Sequence, residues 1–256
     1  MITGARTPVP LDLSGLRVAI TAGAGGIGRV MADSYAACGA AVNEQALIDC
    51  GHRGLLADAG RVSDLEAFMD AALSVLGGLD VLVNNAGIAG PTARMEDVTP
   101  AELDAVLQVD LAAMFHCARR AVPPLRASGG GSIVNLSSAA GKFGFPLRSP
   151  YSAAKWGVVG FTRTLAMELG PDSIRVNAIL PGLVDGPRIR SVLANKAAAA
   201  GIGDNEQTAR ALAGVNLRCF VSQQDIANMA LYLCSPFGAT ISGQAISVDG
   251  GMEGLV

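Results

Sequence analysis

The chain has 256 residues, 50% of them hydrophobic and 16% charged, which is enough for one large core and too little for two ordinary domains. A net charge of −3 and a pI near 5.4 offer no basic footprint for nucleic acid or an anionic membrane. No run of about 18 apolar residues marks a membrane span.

In chain order, the Pro-broken start MITGARTPVPLDL has no long apolar segment ahead of a small-residue cleavage site, so it reads as a short arm (1–13) rather than a signal peptide. One domain, 14–256, follows. The runs LRVAIT (16–21), LDVLV (79–83), SIVNLS (132–137), IRVNAIL (174–180) and QAISVD (244–249) predict strands buried on both faces. Between them, 27–38, 64–76, 101–127, 152–169 and 223–234 carry helical spacing, several opened by Ser or Thr-Pro caps. This alternation predicts a parallel sheet covered by helices on both sides. The Ala-rich stretch 193–202 reads as a helix. Cys38, Cys50, Cys117, Cys219 and Cys234 are odd in number and form no C-x-x-C, while His52 and His116 have no ligand-like neighbours. The expectation is therefore buried thiols in a reducing cytoplasm and no metal site.

Two motifs carry chemistry. TAGAGGIG (21–28) follows a predicted strand and opens a predicted helix, with Gly23, Gly25 and Gly28 in the G-x-G-x-x-G pattern. Glycines there let backbone N–H groups and a helix N-terminus approach a pyrophosphate without Cβ clashes. In YSAAK (151–155), Tyr151 and Lys155 lie four apart and share a helix face, so the ammonium favours the phenolate and the tyrosine becomes usable as an acid or base. Ser138, thirteen residues earlier at a predicted strand end, has a hydroxyl that can orient a substrate carbonyl.

Taken together, TAGAGGIG, NNAG (84–87), the Ser138, Tyr151 and Lys155 trio, PG (181–182) and SGQAISVDGG (242–251) resemble the short-chain dehydrogenase/reductase family, from about residue 14 to 252. The resemblance implies an α/β, Rossmann-like doubly wound fold whose seven-stranded parallel sheet has the order 3-2-1-4-5-6-7, with helices on both faces. It implies a nicotinamide cofactor and hydride transfer between a secondary alcohol and a ketone. Tyr151 would be the acid/base, Lys155 would assist it and hold the nicotinamide ribose, and Ser138 would bond the reacting oxygen. Gly23, Gly25, Ile27, Gly28, Ala86, Gly87, Pro181 and Gly182 would join Tyr151 and Lys155 in binding the cofactor. Asn84 would lie beside the adenosine ribose and Val184 near the carboxamide. A homodimer or homotetramer built on the helices at 101–127 and 152–169 is also implied.

Several positions depart from the family pattern. Ala22 stands where the family has glycine, tolerable if its φ stays below zero. Asp110 stands where the family has a catalytic asparagine, so a working but altered proton relay is expected. Gly186 replaces a threonine that commonly contacts the nicotinamide amide.

In GAAVNEQALIDCGHRG (39–54), Ala46 falls where an acidic residue meets the ribose, and about half a dozen residues before the third strand are missing. Glu44 and Asp49 are the nearby carboxylates, either ribose ligands or solvated charges. Asp58 is placed to meet the adenine edge or simply ends a strand. No Arg or Lys lies in the glycine turn or within 39–52 to receive a 2′-phosphate, so NAD(H) is expected over NADP(H).

The stretch 186–220 reads as a helical lid over the substrate. Arg148 and Arg188 are candidates to reach an anionic or polyhydroxylated small molecule. The alternative to an enzyme is a binding or regulatory relative whose altered 39–54 segment and Asp110 abolish turnover.

Overall fold

The computed structural model describes residues 11–45 and 53–255. The inner strands send alternate side chains into two cores, which is why their middles are apolar, whereas the edge strand at 245–248 is only half-buried and not buried on both faces as its run predicts. Val18 and Ile20 of β1 (Arg17–Ile20) and Val81 and Val83 of β4 (Val81–Asn84) pack into one core, while Ala19 and Leu82 between them face the other. Val134 and Leu136 of β5 (Gly131–Leu136) join the first core and Ile133 the second. Each such Leu, Ile or Val side chain taken from water contributes about 1.5–3 kcal/mol.

With β2 (Ala41–Gln45), β3 (Arg53–Leu55), β6 (Ile174–Pro181) and β7 (Ala245–Val248), these strands form a seven-stranded sheet of order β3-β2-β1-β4-β5-β6-β7. Every neighbouring pair is parallel, with registers such as Val18↔Val81 and Ile133↔Val176. The resemblance implied this order.

Helices α1 (Gly26–Ala37) and α8 (Gln223–Cys234) cover the first core, where the buried Tyr35 hydroxyl donates to Ala230 O at 3.1 Å. Helices α2 (Val62–Leu76), α4 (Ala113–Ala127) and α5 (Ser149–Leu169) cover the second. The amphipathic spacing expected at 101–127 as one helix is divided: α3 (Pro100–Leu107) runs through a π-helical segment (Gln108–Ala112) into α4. The wider turn carries the buried Asp110, a place where sequence periodicity gives no warning. Within 186–220 lie α6 (Pro187–Ala200) and α7 (Asp204–Ala213). Cys38, Cys117 and Cys234 are buried free thiols and Cys219 is partly buried. Burial pushes the Cys117 thiol up to about 12. Cys50, His52 and Asp49 lie outside the described residues.

Candidate active site

Strand β1 lies between β2 and β4, so the chain leaves the sheet in opposite directions on either side of it, opening a crevice at the strands' carboxyl ends. The glycine turn enters α1 there. Gly25 caps the helix in extended conformation without a side-chain hydrogen bond, and the first turn carries no acidic residue. The positive end of the helix dipole and its first N–H groups therefore face the crevice uncompensated by the chain. A Cβ on Gly25 or Gly26 would meet nothing within 4 Å, whereas one on Gly28 would fall 2.2 Å from Ala22 O and 2.5 Å from Asn85 Nδ2. The turn is thus open where a pyrophosphate would sit and closed behind, a geometry that suits a dinucleotide.

Two residues that the motifs did not single out hold this turn. The buried Thr21 hydroxyl accepts from Asn85 N and Ala86 N, both at 2.9 Å, and Asn85 Nδ2 donates to Thr21 O and Ala22 O at 3.0 and 3.1 Å. A polar residue ending an apolar strand was the available signal. Ala22 overturns the condition placed on it, since its φ is +53°. The left-handed region strains a residue with a Cβ by roughly 1–2 kcal/mol.

A cleft of about 310 Å³ continues from the turn. It brings together Gly25, Ile27 and Gly87 on the turn side, Ser138, Tyr151 and Lys155 at its centre, and Pro181, Gly182, Val184, Arg148 and Arg188 around them. Gly23, Gly28 and Ala86 are buried behind this lining.

Two other expected residues stand apart. Asn84 is buried and donates to Asn135 Oδ1 at 2.8 Å, and Asn135 donates on to Thr162 Oγ1 at 3.0 Å, so Asn84 braces β4 against β5 while its neighbour Asn85 reaches the cleft. Asp58 is exposed and its Oδ1 accepts from Gly60 N at 2.8 Å, outside the cleft lining.

Tyr151 and Lys155 occupy successive turns at the start of α5, and Lys155 Nζ lies 5.5 Å from the Tyr151 ring centroid. The ammonium donates to Leu136 O at 3.1 Å, at the end of β5. Ser138 follows that strand and its hydroxyl accepts from Ala140 N at 3.1 Å. The Ser138 loop is fastened to α5 because Ser137 Oγ donates to Lys155 O at 2.8 Å and Ser152 Oγ to Ala140 O at 2.9 Å. A hydroxyl, a phenol and an ammonium converging in this way can hold a reacting oxygen and pass a proton to or from it.

Asp110 approaches from the π-helical segment, fully buried. Its Oδ1 accepts from Ile88 N at 2.7 Å and lies 4.0 Å from Lys155 Nζ. Burial pushes its carboxyl above the usual carboxylate range, and the Lys155 charge opposes that rise. Gly87 makes the approach possible, since a Cβ there would fall 2.7 Å from Asp110 Oδ1 and 3.4 Å from Lys155 Nζ.

The two expected arginines differ. Arg188 is exposed at the cleft and donates to Gly87 O at 2.7 Å. Arg148 is 2% exposed and donates from Nη2 to Ala89 O, and its Nε and Nη1 are shielded from solvent. Sequence reasoning missed the buried Lys196, whose Nζ lies 4.2 Å from the Phe145 ring centroid. Among the described residues no cluster of His, Cys, Asp or Glu is placed to hold a metal, and no helix is long and apolar enough to cross a membrane.

Comparison with known proteins agrees with this geometry. Residues 21–253 match the family model described as enoyl-(acyl carrier protein) reductase. The chain is 35% identical over 196 residues to D-beta-hydroxybutyrate dehydrogenase of Rhizobium meliloti (76% of each chain). It is 36% identical over 249 residues to cis-4-hydroxycyclohexanecarboxylate dehydrogenase of Sinomonas cyclohexanicum (92% and 96%). The solved actinorhodin polyketide ketoreductase with NADPH superimposes with a TM-score of 0.87 at 31% identity, covering 92% of this chain and 97% of that one. The chain belongs to the short-chain dehydrogenase/reductase family, nicotinamide-dependent oxidoreductases that interconvert alcohols and ketones.

Proposed function

We propose that the chain interconverts a small hydroxy acid and its oxo acid with NAD(H), using Tyr151 as the acid–base group. The observation that carries this reading is the convergence of Ser138, Tyr151 and Lys155 on a cleft continuous with the open N-terminus of α1.

Nicotinamide, when bound, supplies or accepts the hydride; the chain does the rest. Tyr151 Oη takes the alcohol proton in oxidation and returns it in reduction. Ser138 Oγ donates to the reacting oxygen, and Lys155, fixed by Leu136 O, stabilises the phenolate by its charge. The first turn of α1 and the glycines around it receive the pyrophosphate. Asp110, outside the cleft lining, stands 4.0 Å from the Lys155 ammonium and steadies it by charge.

Three observations support the finer choices. No Arg or Lys lies in the glycine turn, and Arg29, the first cation on α1, is engaged with Asp33 at 2.9 Å, which supports NAD(H). The exposed Arg188 at the cleft suits a carboxylate, and two of the relatives are named for hydroxy carboxylates. Phe115, Trp156 and Met167 are exposed apolar side chains on α4 and α5, which supports association of copies through those helices. Helices α6 and α7 are the proposed lid.

The test is a fluorescence titration with NADH and NADPH, followed by a screen of hydroxy acids, sugar acids and neutral alcohols on the wild type and Arg188→Ala. Saturable NADH binding at micromolar levels and a loss confined to anionic substrates are expected. Preference for NADPH overturns the cofactor choice, and equal losses across all substrates overturn the carboxylate role of Arg188.

A further inference from the structure

The proton-transfer scheme uses one cation, Lys155, yet a second faces the same ring. Arg148 caps the start of α5 three residues before Tyr151, and its Cζ lies 5.1 Å from the Tyr151 ring centroid, as near as Lys155 Nζ at 5.5 Å. Beyond the Nη2 bond to Ala89 O, its Nε and Nη1 have no hydrogen-bond partner among the described residues and almost no solvent access. A charge held in this way is expensive unless its field acts on something nearby. The guanidinium also lies 5.4 Å from the Phe145 ring centroid, but that ring carries no titratable group, so within this pair of rings its field can act on chemistry only at Tyr151.

The surrounding charges say where that field is needed. The Lys155 ammonium is 4.0 Å from the Asp110 carboxylate, whose Oδ2 is also buried without a partner among the described residues. A carboxylate at that distance offsets part of the ammonium's attraction for a phenolate. Lys155 and Arg148 face the ring from α5 and its cap; Asp110, on the π-helical segment, lies against Lys155, and Ser138, after β5, shares the cleft lining with Tyr151. From α6, Arg188 lines the same cleft, and Lys196 lies over Phe145 within reach of the Arg148 charge. Burial lowers the proton affinity of Arg148, whereas Tyr151 and Asp110 raise it, so the guanidinium and the two potential anions attract one another. A guanidinium remains charged in such surroundings, where an amine can lose its proton.

We infer that Arg148 is a positioning residue for the reaction, its guanidinium over the Tyr151 ring replacing the positive field that the Asp110 carboxylate takes from Lys155. The inference rests on Tyr151 being the acid–base group. Its consequence is compensation: neutralising Arg148 and neutralising Asp110 move the Tyr151 phenol–phenolate transition in opposite directions.

The primary measurement needs neither substrate nor cofactor, and turnover assays accompany it. The full chain, labelled with ¹³C at tyrosine Cζ, is titrated by NMR as wild type, Arg148→Gln, Arg148→Lys, Asp110→Asn and the Asp110→Asn/Arg148→Gln pair. With three tyrosines in the chain, Tyr151→Phe identifies the resonance. In Arg148→Gln the transition moves up by about one pH unit, a roughly tenfold change in ionisation constant. Arg148→Lys keeps most of the wild-type position, Asp110→Asn moves it down, and the pair returns close to wild type. An unmoved transition in Arg148→Gln overturns the inference, as does a rise in KM for carboxylate substrates without any movement of the resonance, which would make Arg148 a substrate contact. If Arg148→Gln does not fold, Asp110→Asn still decides, because a transition that fails to fall removes the deficit Arg148 is said to fill. Retained turnover in Tyr151→Phe refutes the acid–base reading itself, separately from these outcomes.

Discussion

The Asp110 carboxylate lies 4.0 Å from the Lys155 ammonium, with the two side chains 0% and 5% exposed. Burial dominates the carboxyl and holds its proton affinity above the ordinary 3.8. The folded chain therefore keeps that proton to higher pH than the unfolded chain, and this group's contribution to stability falls as pH rises from 3.8 through the raised folded value. Asp110→Asn preserves an acceptor for Ile88 N–H and abolishes the fall. Urea midpoints are expected to place the variant above wild type near neutrality, the gap closing as pH is lowered toward 3.8.

Lys196 supplies a second pH signature, of opposite sign. Burial and the Arg148 charge lower it from 10.5 to about 8. The unfolded chain thus binds the extra proton between those values, and stability rises as pH climbs from about 8 toward 10.5. Lys196→Met removes this rise, which thermal melts across the same interval measure.

Gly25 and Gly28 separate binding from folding. A methyl on Gly28 collides with Ala22 O and Asn85 Nδ2, so Gly28→Ala destabilises by about 1–3 kcal/mol and weakens NADH binding together. A methyl on Gly25 meets open space within the protein. Gly25→Ala is expected to melt close to wild type while losing affinity for NADH, a contrast that calorimetry and fluorescence titration read side by side.

Tyr151→Phe removes the proton carrier and leaves the ring between Arg148 and Lys155. Turnover falls by roughly 10²–10⁴-fold, with far-ultraviolet circular dichroism unchanged. A smaller loss would move the proton transfer to another group.

Much of this architecture was legible before any coordinates. Runs such as VAI (18–20) and VLV (81–83) show their two-sided burial by lacking a polar alternate, and the four-residue step from Tyr151 to Lys155 puts both on one helix face whatever surrounds them. Other features depend on three dimensions. NNAG offers two adjacent asparagines, and the strand pleat, which turns Asn84 inward and Asn85 to the cleft, is decided by the sheet. The +53° φ of Ala22 follows from how the turn meets α1, and alanine itself gives no sign of it. Lys196 reaches Phe145 from a helix some fifty residues along the chain, and the segment 46–52 lies outside the described residues.

The missing side chain at Gly87 limits how this centre can change by mutation. A methyl there and a carboxylate at position 110 compete for the same space, 2.7 Å apart. Drift at either position is conditional on the other: an alanine at 87 becomes admissible only after 110 shrinks, and a glutamate at 110 meets a backbone with no room to retreat. The two sites form an epistatic pair, so a library that randomises position 110 on this background should return little beyond Asp, Asn and smaller residues, and one that varies both together should open combinations neither reaches alone.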